Sequence, residues 1–407
     1  GRELGRVVPV TGRPPAQPSI ARPWIAEPGT AHAVALEILL NGPISRSDIA
    51  TRLRLSSGSL TRLSKPLIEQ GLVVEVDPPH ARGRTSGRPT KPLDIVGSAR
   101  HFIGLKVTAE SVVGVMTDLR ADVLKSAARP VHSHAPDAVT TVVTAVVAEL
   151  CEPDRPISAL GIGLGGLVRD EGTVVSAPFL GWSNVRFGRM VENATGISTT
   201  VDNDLVAFTA YENWFGAGRG VDRFAVVTLG AGIGYGLVIG GEMINDVDSG
   251  LGLVGHWPVD PFGPVCPAGH RGCARSMMTT LAVISSVGSA VGKTVTYDEA
   301  LDLVEHNAAA RRIVDDAGLG LGRLLAAIAN LTAPDVIVLG GEGVRLAAVA
   351  RGAVESAMAT DRDPQARSIP LVLTSGDDTE WSRGAAALAI RRYVRLDGTG
   401  DGAGRKV

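Results

Sequence analysis

Two segments of this 407-residue sequence carry residue types that could bind or phosphorylate a hydroxyl compound. In Val201-Asp202-Asn203-Asp204, the Asn203 amide can donate a hydrogen bond to a hydroxyl, and the Asp204 carboxylate can accept its proton. Residues 230–236 are rich in glycine and follow the apolar run 224–229, so backbone N–H groups can come close to a phosphate or a sugar. The simpler alternative is that the glycines form only a β-hairpin and that Asn203 and Asp204 only cap a helix.

The cysteines suggest a metal rather than disulfides. Cys266 and Cys273 lie close enough in the chain to share a metal ion, whereas Cys151 stands alone in a segment with a helical pattern. Such sparse cysteine usage fits a reducing compartment.

Three predicted helices follow residues 1–28, a proline-rich segment that we expect to be a disordered arm. The pattern is helical over 31–40, 45–53 and 59–70, and a short predicted strand, 72–76, comes next. This order, with a tight turn between the second and third helices, is typical of a helix-turn-helix. The third helix of such a unit enters the major groove of DNA.

The third predicted helix has two different faces. At about 100° per residue its leucines point one way, whereas Thr61, Arg62 and Lys65 point the other way. We expect these three residues to read or clamp the major groove. Ser57 and Ser59 are expected near phosphates at the start of the helix.

An arginine-rich loop, residues 82–89, lies between the predicted strands 72–76 and 92–95. A thin loop that carries Arg84 and Arg88 is suited to the narrow minor groove of A·T-rich DNA, where the negative potential is greatest. The alternative is an arginine-rich loop that is only solvated.

The composition indicates a globular protein of two or three domains, since 407 residues with 44% hydrophobic content exceed one ordinary domain. No apolar run could span a bilayer, and the arginine-containing N-terminus lacks the apolar core of a signal peptide, so we expect a cytoplasmic protein. The net charge of −2 conceals +5 over residues 1–95 and −7 over the remainder. This asymmetry fits a nucleic-acid-binding module joined to an acidic body, although a merely soluble surface would also fit.

From residue 102 to the C-terminus the chain resembles the ROK family of repressors, open reading frames and sugar kinases, and residues 31–95 resemble the winged-helix half of its repressors. The resemblance is carried by Asn203-Asp204, the run 228–236, Gly255-His256 and the pair Cys266 and Cys273. It implies an α/β fold in which a winged helix-turn-helix precedes a two-lobed, actin-like and ribonuclease-H-like domain.

The same resemblance suggests domain boundaries. We place the arm at 1–28, the DNA-binding domain at 29–97, the first lobe at 98–215 and the second lobe at 216–379, and we expect a C-terminal helix, 380–396, to complete the first lobe.

The segment that binds the phosphates of ATP in ROK kinases is altered in this sequence. ROK kinases carry Asp-x-Gly-Gly-Thr-Lys in their first hairpin, whereas residues 104–110 read Gly-Leu-Lys-Val-Thr-Ala-Glu. Without the acidic residue and the paired glycines, neither metal coordination nor close approach of a phosphate is expected. Gly340-Gly341 matches the nucleotide-side turn and is expected to be only structural. We therefore predict that the protein is not an enzyme, with Asp204 as a vestigial base.

The sugar pocket is also altered. Phe179 stands where ROK kinases have an asparagine, and Leu253 and Arg275 replace two carboxylates. A neutral hexose should lose several hydrogen bonds, each worth about 1 kcal/mol. Arg275 could meet an anionic ligand such as a sugar phosphate, or it could form an internal salt bridge. The residues expected to bind the ligand are Asn203, Asp204, His256 and Arg275.

The zinc loop of the family retains only part of its ligand set. Members use one histidine and three cysteines, and the matching residues here are His256, Cys266 and Cys273, while Ala268 replaces the middle cysteine. His270 or water could supply a fourth ligand, or the metal could be absent. We expect a structural Zn²⁺.

Taken together, these features predict a DNA-binding transcriptional regulator, a repressor, of sugar or amino-sugar metabolism. We expect a homodimer or a tetramer that binds an inverted-repeat operator in double-stranded DNA, with a catalytically inactive ROK domain sensing a sugar or sugar-phosphate effector. One alternative is an active ATP-dependent sugar kinase with an appended DNA-binding module, in which Asp204 is the general base. Another is a regulator that senses no ligand.

Overall fold

The computed structural model describes residues 29–77, 91–170, 172–245, 248 and 252–396. The predicted arm, 1–28, and the predicted wing with Arg84 and Arg88 lie outside these ranges. None of the helices within them combines the length and the apolar character that crossing a bilayer requires.

The described chain begins with a unit of three helices and two short strands. These are α1 (Thr30–Asn41), α2 (Arg46–Arg52), α3 (Ser57–Glu69), β1 (Val73–Glu75) and β2 (Leu93–Ile95), with β1 and β2 antiparallel. The hydroxyl of Ser45 accepts a hydrogen bond from the Asp48 N–H and begins α2. The hydroxyl of Ser56 accepts one from the Ser59 N–H. Because Ser56 provides this cap, α3 begins at Ser57 and not at residue 59 as predicted.

The three-helix unit and the body share one hydrophobic core. The unit contributes buried side chains such as Ile38, Leu60 and Leu93, and these belong to the same buried cluster as Trp214 and Ile390 of the body. Burial of apolar surface in this shared core therefore holds the unit against the body.

The first lobe is a five-stranded mixed sheet in the order β10-β6-β3-β4-β5. Its strands are β3 (His101–Val107), β4 (Ser111–Asp118), β5 (Val123–Pro130), β6 (Ile157–Leu164) and β10 (Thr199–Asn203). Its helices are α4 (Pro136–Leu150), α5 (Phe187–Thr195) and α6 (Asp204–Trp214). A small antiparallel sheet of β7 (Leu167–Arg169), β8 (Thr173–Ala177) and β9 (Trp182–Val185) extends from it.

The second lobe repeats this plan in a five-stranded sheet with the order β13-β12-β11-β14-β15. Its strands are β11 (Arg223–Leu229), β12 (Ile233–Ile239), β13 (Glu242–Ile244), β14 (Val336–Gly340) and β15 (Leu371–Leu373). Its helices are α7 (Ala274–Met278), α8 (Thr280–Val291), α9 (Tyr297–Asp302), α10 (Ala308–Thr332), α11 (Arg345–Val349) and α12 (Arg351–Thr360), and a short 3₁₀ turn spans Leu253–His256.

The last helix, α13 (Asp378–Leu396), packs on the first-lobe sheet at very close range. A Cβ atom on Gly104 would lie 1.9 Å from the carbonyl oxygen of Ser382, and one on Gly161 would lie 1.8 Å from that of Ala385. Glycine at these two strand positions is what allows the helix backbone to approach the sheet. The helical N-terminal unit followed by two α/β lobes confirms the predicted fold class.

Candidate functional site

The third helix presents a polar face to solvent. Leu60 and Leu67 are buried, whereas Thr61, Arg62 and Lys65 are exposed, as the periodicity predicts. The Thr61 hydroxyl donates a hydrogen bond to the Ser57 carbonyl at 2.9 Å, and Lys65 Nζ lies 3.7 Å from Glu69 Oε1. Exposed pairs of this kind contribute little stability, so these donors are available to another molecule.

The two serines at the start of α3 have different surroundings. Ser57 is exposed in the first turn. Ser59 is half-buried, and its hydroxyl accepts a hydrogen bond from the Ser56 hydroxyl at 2.9 Å. Ser59 thus supports the helix cap as well as lying at the predicted phosphate-facing end.

Asn203 uses both ends of its amide on the backbone. Its Oδ1 accepts a hydrogen bond from the Leu205 N–H at 2.9 Å, and its Nδ2 donates one to the Gly166 carbonyl at 2.8 Å. The residue is only 4% exposed. In this conformation Asn203 begins α6 and fixes the loop after β6, which matches the simpler capping alternative. Its role in binding a ligand stays a prediction.

Asp204 forms an ion pair across the first lobe with Lys106. The Lys106 ammonium donates to Asp204 Oδ2, and the two side chains are 13% and 19% exposed. The Lys106 Nζ also lies 4.4 Å from the centroid of the Trp381 ring, a cation–π contact. Lys106 belongs to the segment 104–110, where the ROK kinases have their acidic residue. The candidate base is therefore already paired with a cation from the altered phosphate hairpin.

The glycine-rich turn between β11 and β12 also has an internal partner. The Ala231 N–H donates a hydrogen bond to Glu342 Oε1 at 2.8 Å. A Cβ atom on Gly230 would lie 2.1 Å from the same carboxylate oxygen, so the absence of a side chain at residue 230 makes room for Glu342. The backbone donor predicted to face a phosphate faces a carboxylate of this chain.

His256 and Arg275 lie on the second lobe beside the start of β12. His256 ends the 3₁₀ turn and is half-buried, and Arg275 is exposed in α7. A Cβ atom on Gly255 would lie 3.9 Å from the Arg275 Cβ and 3.7 Å from the Ile233 carbonyl oxygen. Leu205 of α6 packs near Gly234, the next residue of the same strand. The start of β12 thus packs against Gly255 beside His256 and Arg275, and against Leu205, the residue that follows Asp204.

The predicted metal ligands converge. Ligand atoms of His256, Cys266 and Cys273 all lie within 4.8 Å of one another. His270 joins two of them: its Nδ1 is 3.6 Å from Cys266 Sγ and 3.0 Å from His256 Nδ1, and His256 Nδ1 is 3.8 Å from Cys266 Sγ. Ligand atoms of a tetrahedral zinc site are about 3.3–3.8 Å apart, so this donor set fits Zn²⁺.

The chemistry of Cys266 also suits a metal. Burial raises the pKa of its thiol, but hydrogen bonds from the His270 and Ala268 N–H groups, together with side-chain contacts to His270 and Cys273, lower it to about 6. A thiol with such a pKa is largely a thiolate at neutral pH, the form that binds metals. Ala268 has no side-chain donor, and His270 contacts two of the three residues without joining the group whose ligand atoms all lie within 4.8 Å of one another.

Helix α6 connects the region of the Lys106–Asp204 pair, called the cleft below, to the three-helix unit. It begins at Asp204 and ends at Trp214, whose ring lies in the core shared with the unit. In the turn that follows, Arg219 Nε donates a hydrogen bond to the Leu40 carbonyl at 2.6 Å, and its Nη2 donates one to the Gly42 carbonyl at 2.8 Å. Arg219 thereby holds the C-terminal end of α1.

Three of these residues were missed by sequence reasoning as functional candidates: Lys106, Glu342 and Arg219. Two of them left a signal, because Lys106 reverses the charge of a position in the altered hairpin and Glu342 directly follows Gly340-Gly341. Arg219 left none, since an arginine in a glycine-containing turn is an ordinary solvated residue.

Comparison with known proteins identifies the relatives of this chain. The xylose repressor of Bacillus spizizenii is 23% identical over 368 residues, which cover 88% of this chain and 94% of that protein. The DNA-binding transcriptional dual regulator NagC of Escherichia coli is 26% identical over 370 residues, covering 87% of this chain and 90% of that protein.

Solved structures share the fold. A ROK family transcriptional regulator, described as a homolog of the E. coli MLC protein, superposes with a TM-score of 0.75 at 23% identity, covering 90% of this chain and 96% of that one. A ROK family glucokinase from Streptomyces griseus, in complex with glucose and AMPPNP, covers 72% of this chain and 99% of its own with a TM-score of 0.62 at 22% identity. The sequence pattern of the ROK family matches residues 102–392, and the chain therefore belongs to the ROK family.

Proposed function

We propose that this protein is a DNA-binding transcriptional repressor of sugar or amino-sugar metabolism, whose ROK domain senses an effector and transfers no phosphate. The observation that carries the proposal is the path along α6, from Asp204 in the cleft to Trp214 and Arg219 at the three-helix unit. Relatives named as a xylose repressor and as a DNA-binding regulator support it.

The DNA-binding surface is the exposed face of α3. Thr61, Arg62 and Lys65 would contact base edges and phosphates in the major groove, and Ser57 and Ser59 would lie near phosphates at the helix start. Arg84 and Arg88 would enter the minor groove. A homodimer would place two such helices in successive major grooves, so the operator would be an inverted repeat.

The effector would bind between the lobes, at the start of β12. Leu205, the residue after Asn203 and Asp204, packs against β12 there from the first lobe, and Gly255 beside His256 and Arg275 lies there on the second lobe. Closure of the lobes on a ligand would shift α6, and with it the three-helix unit that Arg219 holds. The two recognition helices of the dimer would then no longer match the operator spacing.

Two internal contacts support the absence of kinase activity. A phosphoryl-transfer site needs a free carboxylate to accept the hydroxyl proton and free donors for the phosphates. Here Asp204 is paired with Lys106, and the Ala231 N–H is bonded to Glu342. An active sugar kinase with an appended DNA-binding unit, the second candidate, would have to break both contacts in each cycle.

A structural zinc ion would be held by His256, Cys266 and Cys273, with His270 as the fourth ligand. It would supply cross-linking of the loop and no chemistry in the cleft, since a site with four protein ligands has no open position. Arg323 Nη1 donates to the Val259 carbonyl at 2.6 Å and ties the same loop to α10. The ion would therefore fix His256 and the 3₁₀ turn beside the cleft.

The test is selection of genomic DNA fragments by the purified full chain, followed by release with a panel of sugars and amino sugars. Enriched fragments should share an inverted repeat, and one class of sugar should release them. A protein that enriches no fragment at low salt would overturn the proposal. A coupled assay with ATP covers the second candidate: sugar-dependent turnover that is lost in Asp204→Asn would establish a kinase.

A further inference from the structure

We propose that Glu342 takes the place of a phosphate on the turn 230–232, so that the cleft selects unphosphorylated ligands. This inference rests on the proposed function, in which the cleft holds a sugar-type effector, and it narrows that effector to one without a phosphate group. Glu342 determines specificity because its carboxylate keeps phosphate groups off this turn.

The turn has the form of an anion site, and its occupant is an anion of the chain itself. Backbone N–H groups at the end of a strand bind phosphates when no side chain intervenes. The Ala231 N–H donates to Glu342 Oε1 at 2.8 Å. The Gly230 N–H donates to the Gly232 carbonyl at 3.0 Å, so a second amide of the turn is also engaged.

The loop that carries Glu342 is anchored against the turn. The Gly343 N–H donates a hydrogen bond to the Leu229 carbonyl at 2.8 Å, directly before the turn. The Tyr297 hydroxyl donates to the Gly343 carbonyl at 2.8 Å and holds the other side of the loop. These two contacts fix the backbone of the residue next to Glu342, although the Glu342 side chain itself is exposed.

A phosphate would meet the same obstacle on the first lobe. The Lys106 ammonium is already paired with the Asp204 carboxylate. A phosphate that contacted both the turn 230–232 and Lys106 would therefore have to displace two carboxylates from their donors. Like charges a few ångströms apart repel, and each displaced carboxylate loses a hydrogen bond. A hydroxyl of an unphosphorylated sugar meets neither penalty, because it can donate to a carboxylate.

The experiment measures binding of inorganic pyrophosphate by isothermal titration calorimetry to the full chain and three variants. Glu342→Ala removes the carboxylate, and Glu342→Gln keeps an acceptor for the Ala231 N–H but removes the charge. Glu355→Ala is the matched control, since Glu355 is an exposed carboxylate on α12 that does not contact the turn.

We expect Glu342→Ala to bind pyrophosphate on the order of tenfold more tightly than the wild type, the effect of removing one nearby like charge. Glu342→Gln should gain less, and Glu355→Ala should gain nothing. Equal pyrophosphate affinity in the wild type and Glu342→Ala would overturn the inference, as would tight pyrophosphate binding by the wild type.

Operator binding by the same proteins separates this inference from the proposed function. A wild type that binds no operator overturns the proposed function, while the pyrophosphate comparison still decides the role of Glu342. An intact operator complex with no gain of pyrophosphate binding in Glu342→Ala overturns only the role of Glu342.

Discussion

Replacing Arg219 tests the proposed connection between the cleft and the three-helix unit. Its guanidinium donates to the Leu40 and Gly42 carbonyls at 2.6 and 2.8 Å. Hydrogen bonds from a charged donor contribute about 1.5–3 kcal/mol each in buried sites. Because Arg219 is exposed, solvent screening reduces the contribution of the two hydrogen bonds together to about 1–2 kcal/mol. Arg219→Ala should therefore loosen the end of α1 without unfolding the body.

Hydrogen exchange followed by mass spectrometry gives the direct measurement. A loss of about 1–2 kcal/mol should speed exchange of the amides at the α1 C-terminus about 5- to 30-fold where local opening controls exchange. Arg219→Lys, which keeps the charge but cannot direct two N–H groups as a fork, should lie between the wild type and Arg219→Ala. Arg129→Ala is the control, because Arg129 pairs with Glu149 on the outer surface of the first lobe.

The same variants should respond more weakly to the effector. If Arg219 transmits movement of α6, Arg219→Ala should keep operator binding but require more effector for release. Exchange over α1 equal to that of Arg129→Ala would refute the contact's structural role. Whatever the exchange rates, an effector response in Arg219→Ala equal to that of the wild type would refute the role of Arg219 in transmitting movement of α6.

Three further predictions concern other parts of the chain. Arg62→Ala should weaken operator binding by about 1–3 kcal/mol in an anisotropy titration, with Arg129→Ala unchanged; equal affinities would rule out the assigned face of α3. His270→Ala should lower the zinc content of the protein, measured by mass spectrometry, and an unaffected zinc stoichiometry would show that His270 is not a ligand. The zinc affinity of the wild type should fall below pH about 6, where the Cys266 thiol becomes protonated. Burial raises the pKa of Asp202 to about 6 from 3.8, so the folded state holds the proton more tightly and stability should decline as pH rises from 3.8 to about 6. Asp202→Asn should remove about 2–3 kcal/mol of this decline in denaturant titrations, and identical pH slopes would contradict the assignment.

Local features of the fold could be predicted because their causes are local in the chain. Ser45 caps α2 three residues before Asp48, and the faces of α3 follow from helical periodicity. The convergence of His256, Cys266 and Cys273 could also be predicted, since the three residues belong to one loop. Residues near in sequence have few ways to be arranged, so their types and spacing restrict the answer.

The contacts on which the proposed function rests could not be predicted in the same way. Ala231 and Glu342 are 111 residues apart in sequence, Lys106 and Asp204 are 98 apart, and Arg219 and Leu40 are 179 apart. Each pair depends on how two lobes and a helical unit are packed, which no local pattern specifies. The altered kinase motif at 104–110 indicated that the phosphates of ATP could not be bound, but only the structure shows that Lys106 is paired with Asp204.

The internal pairing of these groups bears on how binding energy can be used. In a kinase, closure of the lobes brings free donors and a free carboxylate onto the phosphates, and binding energy is directed to the reaction. Here Asp204 is paired with Lys106 and Glu342 accepts from the Ala231 N–H, so under the proposed function closure on a nucleotide would have to break both contacts. What closure can still do is move α6, an 11-residue helix about 16 Å long that begins at Asp204. Because its other end lies in the core shared with the three-helix unit, such movement would displace α3, the helix that we propose reads DNA.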